Sequence, residues 1–172
     1  MAQSSWTARL PQPLEAWDRV HVLALGKAAH AMVQALRPHL PGAQGVVVAP
    51  QGPVYAPLPG FSLIEAGHPI PDANSVRAGE ALLDHARSAQ AGSLVLVLLS
   101  GGGSALGACP VEGLALPDLQ QTVQVLLRGG ADIASMNVVR KHLIRLGGGQ
   151  LAAAAEPAHS LTLVISDVVG EL

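Results

Sequence analysis

The sequence predicts an α/β fold: a doubly wound, Rossmann-like, mostly parallel sheet with helices on both faces. Three observations lead there. Segments that read as strands alternate along the chain with segments that read as helices, the pattern of βαβ units. The clearest strands are apolar throughout, as in LVLVLL at 94–99 and GVVVA at 45–49, and strands buried on both faces belong to parallel sheets. The 94–99 run passes directly into Ser100-Gly101-Gly102-Gly103-Ser104. A glycine loop at the carboxyl end of a buried strand lies where such sheets bind ligands.

Each element has its own signal. Residues 1–18 are polar, carry Pro11 and Pro13, and read as a lead-in with a short helix near Leu14 to Trp17. Val20 to Leu25 is the first strand. After Gly26-Lys27, a helix places Ala28, Ala29, Met32, Val33 and Leu36 on one face, and Pro38 with Pro41-Gly42 stops it. Gly45 to Ala49 is the second strand, an irregular Gly- and Pro-rich connection follows, and Phe61 to Glu65 is a third, weaker strand. Pro69 and Pro71 hold an extended turn, and Asp72, Asn74 or Ser75 can cap the helix after it, with Val76, Gly79, Leu82, Leu83 and Ala86 inward. Beyond the glycine loop, Pro117-Asp118 opens a helix that ends at Gly129-Gly130. Asp132 opens another, through Met136, Val139, Leu143 and Leu146 to the glycines at 147–149. A short alanine-rich helix, Leu151 to Ala155, stops at Pro157, and Leu161 to Ile165 is the last strand.

Composition narrows the function. The chain has 172 residues, 49% hydrophobic and only 13% charged, enough to bury a single core and too apolar for a disordered chain. A formal net charge of −2 without a basic stripe argues against nucleic acid. No apolar run reaches membrane-spanning length, and the N-terminus lacks the apolar core of a signal peptide. Cys109 is the lone cysteine; it reads as a small buried thiol, and a cytoplasmic setting fits. The seven histidines form neither an HExxH pattern nor a Cys/His cluster.

The chemistry-bearing residues gather at strand ends. Three successive glycines leave backbone amides open to an approaching anion, with the hydroxyls of Ser100 and Ser104 beside them; the alternative is a flexible turn. Lys27 puts an ammonium at the end of the first strand, or is a solvated lysine at a helix start. Two familiar phosphate motifs fail. The P-loop pattern has His21 at its first glycine and Ala28 where Ser or Thr would hold magnesium, and the dinucleotide fingerprint started by Gly101 and Gly103 has Leu106 at its third glycine.

Five segments occur here in one order: LALGKAAHAM, AGHPIPDANS, LLSGGGSAL, ADIASMNVVRKHLIRLGGGQLA and LVISDVVGEL. Together, over roughly residues 19 to 172, they resemble the N-terminal domain of the glycerate 2-kinases that carry a MOFRL C-terminal domain; some members are also labelled hydroxypyruvate reductases. The resemblance implies ATP-dependent phosphorylation of D-glycerate to 2-phosphoglycerate in a cleft between two α/β domains, with Mg2+. It implies a catalytic Lys27, with Ser100, Gly101, Gly102, Gly103 and Ser104 facing the cleft. Arg140 and Lys141 add positive charge or form a solvated helix face. Asn137 reaches a ligand or satisfies the helix backbone. His68 and Asp72 line the cleft or hold a purely structural turn. Asp167 helps to hold magnesium or caps a turn.

The chain departs from that family's pattern. Leu146-Gly147-Gly148-Gly149-Gln150-Leu151-Ala152 stands where the family usually reads IKGGRLA, and Gly170-Glu171-Leu172 loses one acid. The domain at 19–172 is expected to be incomplete at its C-terminus, to lack the second domain that completes the cleft, to be inactive alone, and to self-associate through the face left open. Two other readings stand beside the kinase. One is an NAD(P)-dependent hydroxypyruvate reductase, which the failed dinucleotide fingerprint disfavours. The other is a non-catalytic remnant that binds an anion.

Overall fold

The computed structural model describes residues 6–166. Five strands, β1 (Arg19–Leu25), β2 (Gln44–Pro50), β3 (Phe61–Ala66), β4 (Ser93–Ser100) and β5 (His159–Ile165), form one sheet in the order β3-β2-β1-β4-β5. Every neighbouring pair is parallel. The helices are α1 (Ala29–Leu36), α2 (Ala73–Arg87), α3 (Gly103–Leu106), α4 (Leu116–Arg128), α5 (Ile133–Leu143) and α6 (Gln150–Ala154). The doubly wound α/β architecture is thus the one the alternation and the apolar strands predict.

Alternate strand residues face opposite sides of the sheet, and both sides are covered. Leu23, Leu25, Val95 and Val97 pack with Ala78, Leu82 and Ala86 of α2. Val22, Ala24, Leu96 and Leu98 pack on the other side with Ala29 and Val33 of α1. Polar residues on these central strands would have one face or the other to desolvate, so the continuous apolar runs follow from the layering.

Helix starts obey local chemistry. Among the three candidate caps for α2, Asp72 takes the position: its Oδ1 accepts the Ser75 amide at 2.8 Å, and its own amide donates to Ser75 Oγ at 3.0 Å. Asp132 caps α5 in the same way, accepting the Ser135 amide at 2.7 Å. Asp118 in the first turn of α4 accepts the Ala115 amide at 3.2 Å.

Two elements differ from the sequence expectation. The lead-in helix is a single 3-10 turn, Leu14–Ala16. The helix expected to run through Leu146 ends at Leu143, because the chain there is drawn into another pairing. Ile144 forms an antiparallel bridge with Pro110, the Val111 amide donates to Leu143 O at 3.0 Å, and the Arg145 amide donates to Cys109 O at 2.8 Å. Helical periodicity cannot register a competing backbone partner thirty-odd residues away. Among the described residues no helix is long and apolar enough to cross a membrane.

The strand order reverses at β1. The chain moves outward through β2 and β3, then returns to place β4 and β5 on the other side of β1. Leu25 and Leu99 lie in register at the carboxyl ends of the two central strands. Such a reversal opens a crevice beyond those ends.

Candidate functional site

Two loops leave the reversal point and are stitched to one another. The Lys27 amide donates to Gly101 O at 2.9 Å, and the Ala28 amide donates to Ser100 Oγ at 3.0 Å. Gly26, at φ 129°, lies so close to Ser100 that any side chain there would strike the Ser100 backbone and hydroxyl. The Gly26 amide in turn donates to Val48 O at 3.1 Å, tying the crossing to β2.

A third loop reaches the same point. Gly102 sits at φ 88°, and a methyl group on it would lie 2.8 Å from His68 Cδ2, 2.9 Å from His68 Nε2 and 3.5 Å from Lys27 Cγ. Lys27, His68 and the middle of the glycine loop therefore converge from three segments far apart in sequence. The turn that carries His68 is anchored on several sides. Gln51 Nε2 donates to Asp72 Oδ2 at 3.0 Å, Gln120 Nε2 of α4 donates to Pro71 O at 2.8 Å, and Asn74 Nδ2 donates to Glu65 O at 3.0 Å. Asp72 is occupied by this scaffolding. Burial pushes its carboxyl pKa up, but the amide hydrogen bonds from Ser75, Gly67 and Asn74 and the Ser75 hydroxyl outweigh that and hold it below the usual value.

On its other side the glycine loop borders a cavity of about 390 Å³, into which Ser100, Ser104, Asn137 and Lys141 also open. Leu25, Leu99, Val164 and Ile165 complete much of its apolar wall. Lys27 and His68 are not among its lining residues, so the predicted site residues fall into two groups with the loop between them. A larger cavity of about 710 Å³ shares Lys141, Ile144 and Gly147 but contains no residue of the glycine loop. It lies away from the strand reversal, and the smaller cavity is the one the fold places at the crevice.

Arg140 and Lys141, adjacent in sequence, have opposite fates. Lys141 is exposed and lines the cavity. Arg140 is only 7% exposed; its guanidinium donates to Ser104 Oγ at 3.3 Å, and its Nε has no hydrogen-bond partner. The solvated-face reading fails for Arg140. Burial lowers its pKa, yet a guanidinium stays protonated in a protein, so a fixed positive charge stands directly behind the loop.

The two loop serines are polarised alike. Ser100 Oγ accepts from the Ala28 amide and Ser104 Oγ accepts from Arg140. A hydroxyl that accepts from the protein keeps its own proton for donation. Glycine amides, two donor hydroxyls, Lys27 and the buried Arg140 make a setting suited to phosphate or carboxylate oxygens. Asn137 lies on the exposed cavity side of α5. Among the described residues no group of three or more His, Cys, Asp or Glu side chains could hold a metal ion, and Asp167 lies outside the described residues. Cys109 is the small buried thiol expected; burial raises its pKa, and Arg145 donates to its Sγ at 3.5 Å.

Sequence reasoning located the loop and Lys27 but missed the residues that set them. Gln51 and Gln120 fix the His68 turn through single long-range hydrogen bonds, for which no local pattern exists. Gly26 carried a usable signal, a glycine between a strand and a lysine, but its need for a bare Cα depends on where Ser100 lies.

Residues 2–172 match the family described as Domain of unknown function (DUF4147). The chain is 41% identical over 156 residues to a protein of Thermotoga maritima named D-glycerate 2-kinase, covering 90% of this chain and 37% of that one. It is 42% identical over 153 residues to one of Pyrococcus horikoshii named glycerate 2-kinase, covering 89% and 34%. A crystal structure titled glycerate kinase, from Thermotoga maritima, superposes with a TM-score of 0.77 at 40% identity over 90% of this chain and 38% of its own. The chain thus spans little more than a third of the length of these relatives. It belongs to the DUF4147 family, whose members similar to it include proteins named glycerate kinase.

Proposed function

We propose that this chain is the N-terminal α/β domain of an ATP-dependent glycerate 2-kinase, which phosphorylates the 2-hydroxyl of D-glycerate. The observation that carries this reading is the convergence of Lys27, His68 and Gly102 at the strand reversal, in a chain 41% identical to a protein named D-glycerate 2-kinase. Phosphoryl transfer requires chiefly positioning and neutralisation of charge. The Lys27 ammonium is suited to neutralise the oxygens of the transferring phosphoryl group. The glycine-loop amides and the Ser100 and Ser104 hydroxyls are suited to hold phosphate or the glycerate carboxylate, with Arg140 behind Ser104 and with Asn137 and Lys141 across the cavity. Mg2+ accompanies the nucleotide in this proposal, and Asp167 is the ligand this chain would contribute. A second domain closes the cleft and supplies the remaining groups, so the 172-residue chain alone is expected to show weak or no turnover.

The test is ADP release with D-glycerate, ATP and Mg2+, on this chain and on the product of the whole reading frame that contains it. Glycerate-dependent turnover by the longer product supports the kinase. Its absence in both proteins, each shown to be folded, overturns it and turns attention to NADH oxidation with hydroxypyruvate.

A further inference from the structure

We infer that Arg140 is a positioning residue: from behind the glycine loop, its guanidinium fixes the Ser104 hydroxyl as a donor to a substrate oxyanion in the 390 Å³ cavity. The inference takes the identity of the substrate from the kinase reading; the device itself rests on the geometry of α3 and α5.

α5 divides its residues sharply. Asn137 and Lys141, one turn apart, are exposed and line the cavity. Met136 and Arg140, also one turn apart, are only 4% and 7% exposed. Met136 shows what packing asks of this inward face. An arginine in the same row is costly, because a guanidinium is rarely buried without an ionic partner and gives up its hydration there. Its Nε finds no hydrogen-bond partner among the described residues. What it does make is the donation from Nη1 to Ser104 Oγ at 3.3 Å. A side chain of methionine's shape would fill the space without that desolvation, so the charge has a use other than packing.

The direction of the bond supplies that use. A guanidinium only donates, so Ser104 Oγ accepts from it and the hydroxyl proton is turned away from Arg140. Ser104 lines the cavity, and Arg140 is not among the lining residues. Arg140 therefore acts through Ser104 and not by touching the ligand. A carboxylate or phosphate oxygen, which accepts and cannot donate, is the ligand atom that matches a hydroxyl held in this way. The positive charge behind the hydroxyl strengthens its donation, and the Lys141 ammonium opens into the same cavity.

Backbone pairing holds the two side chains at this spacing. Beyond α3 the chain passes through Cys109, Pro110 and Val111; beyond α5 it passes through Leu143, Ile144 and Arg145. These two segments are joined by the Pro110–Ile144 bridge and by amide hydrogen bonds from Val111 to Leu143 O and from Arg145 to Cys109 O. The helices that carry Ser104 and Arg140 are thus clamped together just past both residues. The oxyanion has two sources in a kinase, the carboxylate of the acceptor and a phosphate of the nucleotide. Their chemistry toward Ser104 is the same, and the experiment tells them apart.

The test compares Arg140→Met, Ser104→Ala and the double variant in the product of the whole reading frame. Arg140→Met should unfold at or above the parent's temperature, since an apolar side chain of similar length replaces a buried charge. It should raise KM for one substrate by about tenfold or more, as for loss of a hydrogen bond to a charged group, and leave KM for the other within about threefold. A rise for D-glycerate puts the acceptor carboxylate in the cavity; a rise for ATP puts a nucleotide phosphate there. Ser104→Ala should raise the same KM, and the double variant should match the weaker-binding single variant within about threefold, because the two residues act as one unit. The inference fails if Arg140→Met changes neither KM or both alike, or if the effects of the two substitutions multiply as independent ones do. An unfolding temperature well below the parent's would make Arg140 a packing residue and also overturn it. A parent without glycerate-dependent turnover removes the kinase reading and leaves this inference to calorimetric titration with D-glycerate and with pyrophosphate. Binding of either that both single substitutions weaken upholds it; no binding, or binding that either substitution leaves unchanged, overturns it.

Discussion

At the residue scale, glycine at 102 and lysine at 27 carry separable burdens. Gly102 has φ 88°, a conformation that L side chains rarely adopt, and its missing side chain is replaced in space by His68 and Lys27. Gly102→Val should therefore fail twice. Backbone strain of about 1–3 kcal/mol lowers the unfolding temperature, and the side chain displaces His68 and Lys27. Gly102→Ala should show the strain and a smaller loss of activity. Lys27 is exposed, and substitutions of exposed side chains usually shift stability by no more than about 0.5 kcal/mol, so Lys27→Ala should unfold close to the parent while kcat drops by about 10²–10³-fold, as for removal of one preorganised charge-stabilising group. Calorimetry and the ADP-release assay check both pairs. Equal activity of Lys27→Ala and parent would remove Lys27 from the mechanism. The glycine run was legible in the sequence because three glycines after a buried strand have few uses. The reason the middle one must be glycine was not, since it depends on His68, 34 positions earlier in the chain.

At the scale of elements, a histidine pair fastens α2 to β1 at the end of the sheet away from the glycine loop. His21 Nδ1 and His85 Nε2 are 3.1 Å apart and share one hydrogen bond. Such a contact needs at least one neutral ring. Burial, then His85, then Arg19 lower the pKa of His21; burial lowers that of His85, partly offset by a hydrogen bond with the Gln44 backbone. Both folded-state pKa values therefore lie below the unfolded value near 6.5, and the unfolded chain binds more protons as pH falls past it. Stability from this pair is present above about pH 6.5 and is lost as pH falls through the folded values. Melting temperature should decline from pH 7 toward pH 5, and His21→Gln should flatten that slope. A slope unchanged by the substitution would assign the pH dependence to other groups. Nothing in the sequence paired these two residues. Strands and helices were legible because periodicity and capping are local, whereas the pair, the early end of α5 and the anchoring of the His68 turn all arise from contacts between elements. Arg140 is the same case: its sequence position on an amphipathic helix is compatible with either a solvated or a buried face, and packing against Ser104 decided it.

At the scale of the whole molecule, the edges of the sheet decide what can pair with it. β3 and β5 are its two edges, and they differ in what they expose. β5 hydrogen-bonds to β4 alone among the described residues, and near its carboxyl end Val164 and Ile165 are 61% and 51% exposed. An edge strand with unpaired backbone groups and apolar side chains is a template for another strand. No charged side chain or proline interrupts the run at 160–165, so the usual protection against edge pairing is missing. Val164 and Ile165 also form part of the wall of the 390 Å³ cavity, so whatever covers this edge also closes the crevice beside the glycine loop. A second copy of this chain could pair along that edge through the same apolar run. The chain should therefore self-associate with rising concentration, seen as an increasing weight-average mass in sedimentation. Val164→Lys should reduce that association, because an ammonium on the edge must be desolvated when another strand pairs there. The substitution should leave the unfolding temperature of the dilute protein nearly unchanged, since the side chain is already largely in water. If the mass stays that of one chain up to high concentration, or if Val164→Lys associates as strongly as the parent, the β5 edge is not the sticky surface and another exposed apolar site, such as Val125 or Val138 on the outer helices, must account for any association observed.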